Sequence, residues 1–183
     1  MNKKKKSFKT KIRSNKKKSN RENYFEKNKP IIIFLIKFFI TFAILELIII
    51  TIDLSLLTNL IASIISDFLK ISYSNNILFT DSTNFIVTNS CTGLVSAAIL
   101  ASITLPLKRV SLKKRIFITL GGGLLILIAN IPRVGLVVAS SFLGLNTNLV
   151  HELTWFLMSG LVVIIWYYGL KFIQKENDFS KFI

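Results

Sequence analysis

Two long apolar stretches constrain this chain more than any other feature. Residues 31–52 and 116–143 are interrupted only by Lys37, Glu46, Asn130 and Arg133 among strongly polar side chains. Each exceeds the roughly 20 residues that a helix needs to cross a hydrocarbon core of about 30 Å. A chain of 183 residues that is 51% hydrophobic yet carries a net charge of +15 must keep these two properties in separate segments. It does so: thirteen of its 24 Lys and Arg residues fall in the first thirty positions. An ordinary soluble enzyme is thereby excluded. A single cysteine excludes an internal disulfide scaffold and a cysteine-rich zinc module, and a single histidine excludes a multi-histidine metal centre. No cofactor is expected.

The pattern predicts an all-α integral membrane protein with four spans, at about 31–52, 92–107, 116–143 and 149–173. The membrane domain covers 30–173, flanked by a disordered basic tail at 1–29 and a short tail at 174–183. The first tail is too long for the charged region of a signal peptide. Its lysines suit the cytosolic side and anionic headgroups. Only Phe8, Tyr24 and Phe25 could stack on bases, and no RNA-binding motif surrounds them, so no nucleic acid is expected as partner. The 108–115 connection has five basic residues in eight and no acid, whereas 53–90 contains Lys70 alone and 144–148 no charge. Both termini and the 108–115 loop are therefore expected in the cytosol of a multi-pass cell-membrane protein.

The extracytoplasmic segment 53–90 is expected to hold a helix and a hairpin. Leu54, Leu57, Ile61, Ile64, Ile65 and Phe68 recur at helical spacing, with Thr58, Asn59, Ser63, Ser66 and Asp67 between them. This reads as an amphipathic helix on the outer membrane surface. Two short apolar runs, 77–79 and 85–87, flank the turn-like sequence 81–84 and predict a small β-hairpin.

Ionisable groups inside a bilayer are expensive, so their heights are informative. At 1.5 Å per residue, Cys91 lies roughly 23 Å above Pro106 and Arg133 roughly 27 Å above Arg115. His151 lies roughly 30 Å above Lys171, and Glu46 roughly 24 Å above Pro30. A thiol, a guanidinium, an imidazole and a carboxylate from four helices thus share one level near the outer boundary. Lys37, near the inner end, can snorkel to the cytosol. Arg133 must find water, an anion or free carbonyls; Pro132 frees the Ile128 carbonyl, and Asn130 is a second candidate. Asn89 or Ser90 could cap the second membrane helix, which would set Cys91 in its first turn, where unpaired N–H groups and the dipole favour a thiolate. Gly93 would let another backbone or a peptide come close. Ser96, Ala97, Ala98 and Ser102, with Gly121–Gly123, offer small-residue faces for helix packing.

Cys91-Thr92-Gly93 with Ser96, Asn130-Ile131-Pro132-Arg133, and His151 stand in this order at the outer ends of successive helices. In this the chain resembles the exosortase/archaeosortase family of membrane-embedded cysteine transpeptidases, over about residues 53–169. The resemblance implies that Cys91 is the nucleophile and that Arg133 and His151 complete the catalytic site. It implies substrates that are secreted proteins with a C-terminal motif, a transmembrane helix and a basic cluster, and transfer to a lipid or other surface acceptor. Some archaeal relatives have arginine where this chain has His151, and many relatives have more spans. On this pattern Arg133 stabilises an oxyanion and His151 moves the proton. Glu46 or Glu152 is a candidate to orient His151 or balance Arg133. Two rivals stay open: a membrane protease that lets water resolve the thioester, and a non-enzymatic interaction subunit with an inert cysteine.

Overall fold

The computed structural model describes residues 28–80, 83–108 and 110–174. The two tails expected at the chain ends therefore lie almost wholly outside the described residues. Helix α1 runs Asn28–Thr51, with Pro30 in its first turn, where a missing N–H is harmless. Its apolar side chains mostly point away from the rest of the chain; Phe39, Leu47 and Ile50 are all exposed. Phe34 reaches a core cluster, and the Ile49 carbonyl accepts the Asn89 side-chain amide at 3.2 Å.

Helix α2, Ser55–Leu69, opens where Asp53 accepts the Ser55 backbone N–H at 2.9 Å. Its inward face is Thr58, Ile61, Ala62, Ile65 and Ser66. Amphipathicity predicted Ile61 and Ile65 on the apolar side but put Thr58 and Ser66 on the polar one. Both hydroxyls tolerate burial because they donate to main-chain carbonyls, Thr58 to Ser55 at 3.1 Å and Ser66 to Ile71 at 2.5 Å. Leu56, Leu60 and Phe68 remain outward.

Three antiparallel strands follow in the order β1 (Ser72–Ser74), β2 (Ile77–Phe79) and β3 (Asn84–Ile86). Leu78 pairs with Tyr73 on one side and Phe85 on the other. The expected hairpin is the β2–β3 pair, with the second strand one residue earlier than its apolar run suggests. The strand β1 was not expected: Ser72-Tyr73-Ser74 is exposed throughout and has no apolar alternation, so only its main chain recommends it to β2. Asn75, at φ 54, makes the tight β1–β2 turn. Asn76 then pins the end of β3, accepting the Val87 N–H at 2.8 Å and donating its amide to the Val87 carbonyl at 3.0 Å.

After a 3-10 turn at Asn89–Thr92 come α3 (Leu94–Thr104), α4 (Leu112–Phe142) and α5 (Thr147–Gln174). Among the described residues three helices are long and apolar enough to cross a membrane: Asn28–Thr51, Leu112–Phe142 and Thr147–Ile173. The span expected at 92–107 shrinks to the 11 residues of α3. A helix of that length rises only about 17 Å. Two ties show how so short a helix accompanies α4: Asn130 bonds the Cys91 carbonyl, and the Arg115 guanidinium donates to the Leu105 carbonyl at 2.6 Å. Residues 91–105 thus run beside residues 115–130 of α4, with turns at both ends of α3 completing the distance.

The core is stacked along α4 in three layers. Ile118 packs with Leu107, Val110 and Leu170; Ile126 packs with Leu100, Met158 and Val162; Val134 and Val138 pack with Ile61, Ile65, Leu78 and Val87. The spacing of Ile118, Ile126 and Val134 puts successive layers about 12 Å apart. Gly122 is the glycine of the 121–123 run on which close packing depends. A Cβ there would lie 2.6 Å from Leu100 Cδ2 and 2.7 Å from Ile165 Cγ2, so α3 and α5 both close on this point.

Candidate active site

The third core layer carries the site, at the end of α4 opposite the basic 108–115 loop. Cys91 is presented by the 3-10 turn, which Thr92 locks by donating to the Asn89 carbonyl at 2.6 Å. The Cys91 N–H donates to the Thr88 carbonyl at 2.9 Å, and the Thr88 hydroxyl lies 3.5 Å from Cys91 Sγ. The cysteine was expected in the first turn of its helix. It is not there: α3 begins at Leu94 with Gly93 as N-cap and no side-chain cap. Gly93 takes φ +85 and turns the chain between the cysteine and the helix, while Asn89 spends its amide on α1 instead of capping. The first turn of α3 therefore does not include Cys91.

The close approach expected at Gly93 is made by Asn130, not by a peptide. A Cβ on residue 93 would stand 2.9 Å from Asn130 Cβ. Seated there, the fully buried Asn130 amide donates to the Cys91 carbonyl and its Oδ1 accepts Arg133 Nη1 at 3.4 Å. One side chain thus ties the cysteine turn to the arginine.

Arg133 is 7% exposed. Its Nε donates to Thr154 Oγ1 at 3.3 Å, and its Cζ stands 5.0 Å from the centre of the Trp155 ring. Its Nη2 has no hydrogen-bond partner, and no carboxylate receives it among the described residues. Among the described residues the hydrogen bonds of Arg133 go to Thr154 and Asn130 and not to the carbonyl freed by Pro132. A buried cation whose hydrogen bonds go only to neutral side chains is costly.

His151 is half-buried in the first turns of α5. Its Nε2 accepts the Trp155 indole N–H at 3.0 Å, and Thr154 donates to its main-chain carbonyl at 2.8 Å. Thr154 and Trp155 were not singled out from sequence. The available signal was their spacing: three and four residues after a candidate histidine is the same helix face.

Cys91, Arg133 and His151 line one cavity of about 270 Å³, walled by Phe85 from β3, Val87 just beyond it and Val137 from α4. Arg133 is within electrostatic reach of both Cys91 and His151. Neither acid joins them. Glu152 points outward, and Glu46 lies outside the cavity with its Oε2 buried and unpartnered among the described residues. No group of three His, Cys, Asp or Glu side chains that could hold a metal comes together among the described residues.

A thiol, a guanidinium and an imidazole thus face one small cavity. No curated protein and no solved structure matches the chain. The family model for transmembrane exosortase (Exosortase_EpsH) matches residues 29–168, which takes in the sheet, α2 to α4 and every side chain of the cavity. The chain belongs to the transmembrane exosortase family.

Proposed function

We propose that this chain is a membrane cysteine transpeptidase that cleaves the C-terminal sorting signal of secreted proteins and passes them to a lipid or surface acceptor. The observation that carries the reading is that Arg133, which lines the cavity with Cys91 and His151, keeps its Nη2 without a partner among the described residues. A guanidinium required only for packing would have all its donors met. An open donor on a side chain that shares a cavity with a thiol suits a charge that develops only during reaction.

The chemistry runs in two halves. Cys91 Sγ gives its proton to His151 and attacks a substrate carbonyl carbon, forming a C–S bond. The carbonyl oxygen takes the electron pair, and Arg133 stabilises it. The intermediate collapses with cleavage of the C–N bond, the leaving amine takes the proton from His151, and a thioester remains. An acceptor nucleophile then attacks the thioester, His151 removes its proton, and Cys91 leaves as the thiol. The site faces the extracytoplasmic side in this reading, with both termini in the cytosol, because the basic 108–115 loop sits at the far end of α4.

A second, polar groove of about 610 Å³ meets the cavity at Val87 and is lined by Asp53, Asn59, Asn75, Asn89 and Ser90. Its amides suit the main chain of an extended peptide, and it leads to the Thr88–Cys91 turn. It is the proposed seat of the sorting motif.

The test is reconstitution of the full chain in vesicles with a peptide bearing a polar motif, an apolar helix and a basic end, followed by mass analysis of the product. Cleavage that is lost in Cys91→Ala, with an acceptor adduct on the new carboxyl end, is the expected result. Cleavage with only water added would make the protein a protease. Cleavage surviving Cys91→Ala would overturn the reading.

A further inference from the structure

Trp155 touches both side chains that the mechanism asks to move charge. Its indole N–H donates to His151 Nε2 at 3.0 Å, and its ring face lies 5.0 Å from Arg133 Cζ. We infer that Trp155 is a positioning residue that occupies the one free ring nitrogen of His151 and so holds the resting site closed to proton transfer. The inference rests on the proposed role of His151 as base.

The argument is one of valence. An indole N–H only donates, and a neutral imidazole has one N–H and one lone pair. The nitrogen that accepts from Trp155 must carry the lone pair, so the His151 proton is on Nδ1. That lone pair is also the only place on the neutral ring that could take the Cys91 proton. An indole proton and a thiol proton cannot both use it. The other charged or titratable groups near His151 are Arg133 from α4, Cys91 across the cavity and Glu152 beside it in sequence. None of them hydrogen-bonds the imidazole among the described residues, so Trp155 is what selects its tautomer. Because the same ring bears Arg133, a substrate carbonyl that draws the guanidinium toward itself loosens both contacts of the indole at once. Occupancy of the cavity thereby becomes the signal that frees the base. A tryptophan serving only as a half-buried core residue would need a partner for its N–H, but not this one.

The chain contains a single histidine, so its ring nitrogens can be observed without assignment. The full chain, labelled with ¹⁵N-histidine and embedded in lipid nanodiscs, is measured at a pH where the imidazole is neutral. Wild type is expected as the Nδ1–H tautomer. Trp155→Phe, which retains a ring for Arg133 but has no N–H, is expected to move to Nε2–H or to a mixture. Without substrate, maleimide should then alkylate Cys91 about threefold to tenfold faster, the worth of one neutral hydrogen bond, and adding His151→Ala should abolish the gain. An Nε2–H wild type overturns the inference, and this measurement needs no variant to fold. A tautomer or an alkylation rate unchanged in Trp155→Phe also overturns it. Tautomer control without cleavage of any substrate would leave Trp155 in its positioning role and refute the enzymatic reading instead.

Discussion

Substitution of Gly93 by alanine is the sharpest probe of how the site is assembled, because two independent penalties meet at one atom. The residue has φ +85, a conformation that costs an L side chain roughly 1–2 kcal/mol. The new Cβ would stand 2.9 Å from Asn130 Cβ. The nearest atom is a Cβ, not the end of a flexible chain, so relief requires a backbone shift of α4 or of the cysteine turn. Overpacking of this kind typically costs about 1–3 kcal/mol. Together the two predict a loss of about 2–5 kcal/mol in stability. Asn130 must retreat by about half an ångström to restore ordinary contact. Its bond to Arg133 Nη1, already 3.4 Å long, will not survive that movement, and its bond to the Cys91 carbonyl is strained by it. Loss of a single such tie in the reacting complex corresponds to about a tenfold fall in rate. Thermal unfolding in nanodiscs and the cleavage rate per folded molecule measure the two effects separately. A Gly93→Ala protein that melts with wild type and cleaves at the wild-type rate would refute the packing of Asn130 against Gly93 and the linkage built on it.

Further outcomes follow from other parts of the structure. Arg133→Met fills the same space without a buried charge, so its melting temperature should equal or exceed that of wild type, while cleavage should fall about 100-fold to 1000-fold; a destabilised yet active variant would make the arginine structural. Gly122→Val drives side-chain atoms into Leu100 and Ile165 and should destabilise the chain by about 1–3 kcal/mol or more, with Cys91 alkylation per folded molecule unchanged, because Gly122 is about 12 Å along α4 from Asn130; unchanged thermal stability would contradict the three-helix contact. Asn59→Ala, in the polar groove, should raise KM for the peptide about threefold to tenfold with kcat retained; a fall in kcat alone would count against the groove as the seat of the motif.

Much of the molecule was legible before folding. Long apolar runs and the bias of positive charge follow from what a bilayer admits, and that constraint acts on composition alone. The regular rise of a helix placed Cys91, Arg133 and His151 at one height without any contact being known. The spacing of Leu57, Ile61 and Ile65 announced a helix, and two short apolar runs announced a hairpin. Height, however, says nothing of direction around a helix axis. Only the tertiary structure decided that Cys91, Arg133 and His151 open into one cavity while Glu46, at the same height, does not. Only packing decided that 92–107 yields an 11-residue helix, since burial between α4 and α5 lets it be shorter than a lipid-facing span. The strand Ser72–Ser74 depended on main-chain bonds to β2, to which side-chain patterns are blind. Of the partners of the buried guanidinium, Asn130 lies three residues back on the same helix and was a candidate from sequence, whereas Thr154 and Trp155 come from α5 and were selected by geometry across a gap. The sequence by itself determined the long apolar helices and the shared level of Cys91, Arg133 and His151, because those depend on one residue's cost in one medium. Which side chains meet depends on how two surfaces fit, and that is a property of the fold.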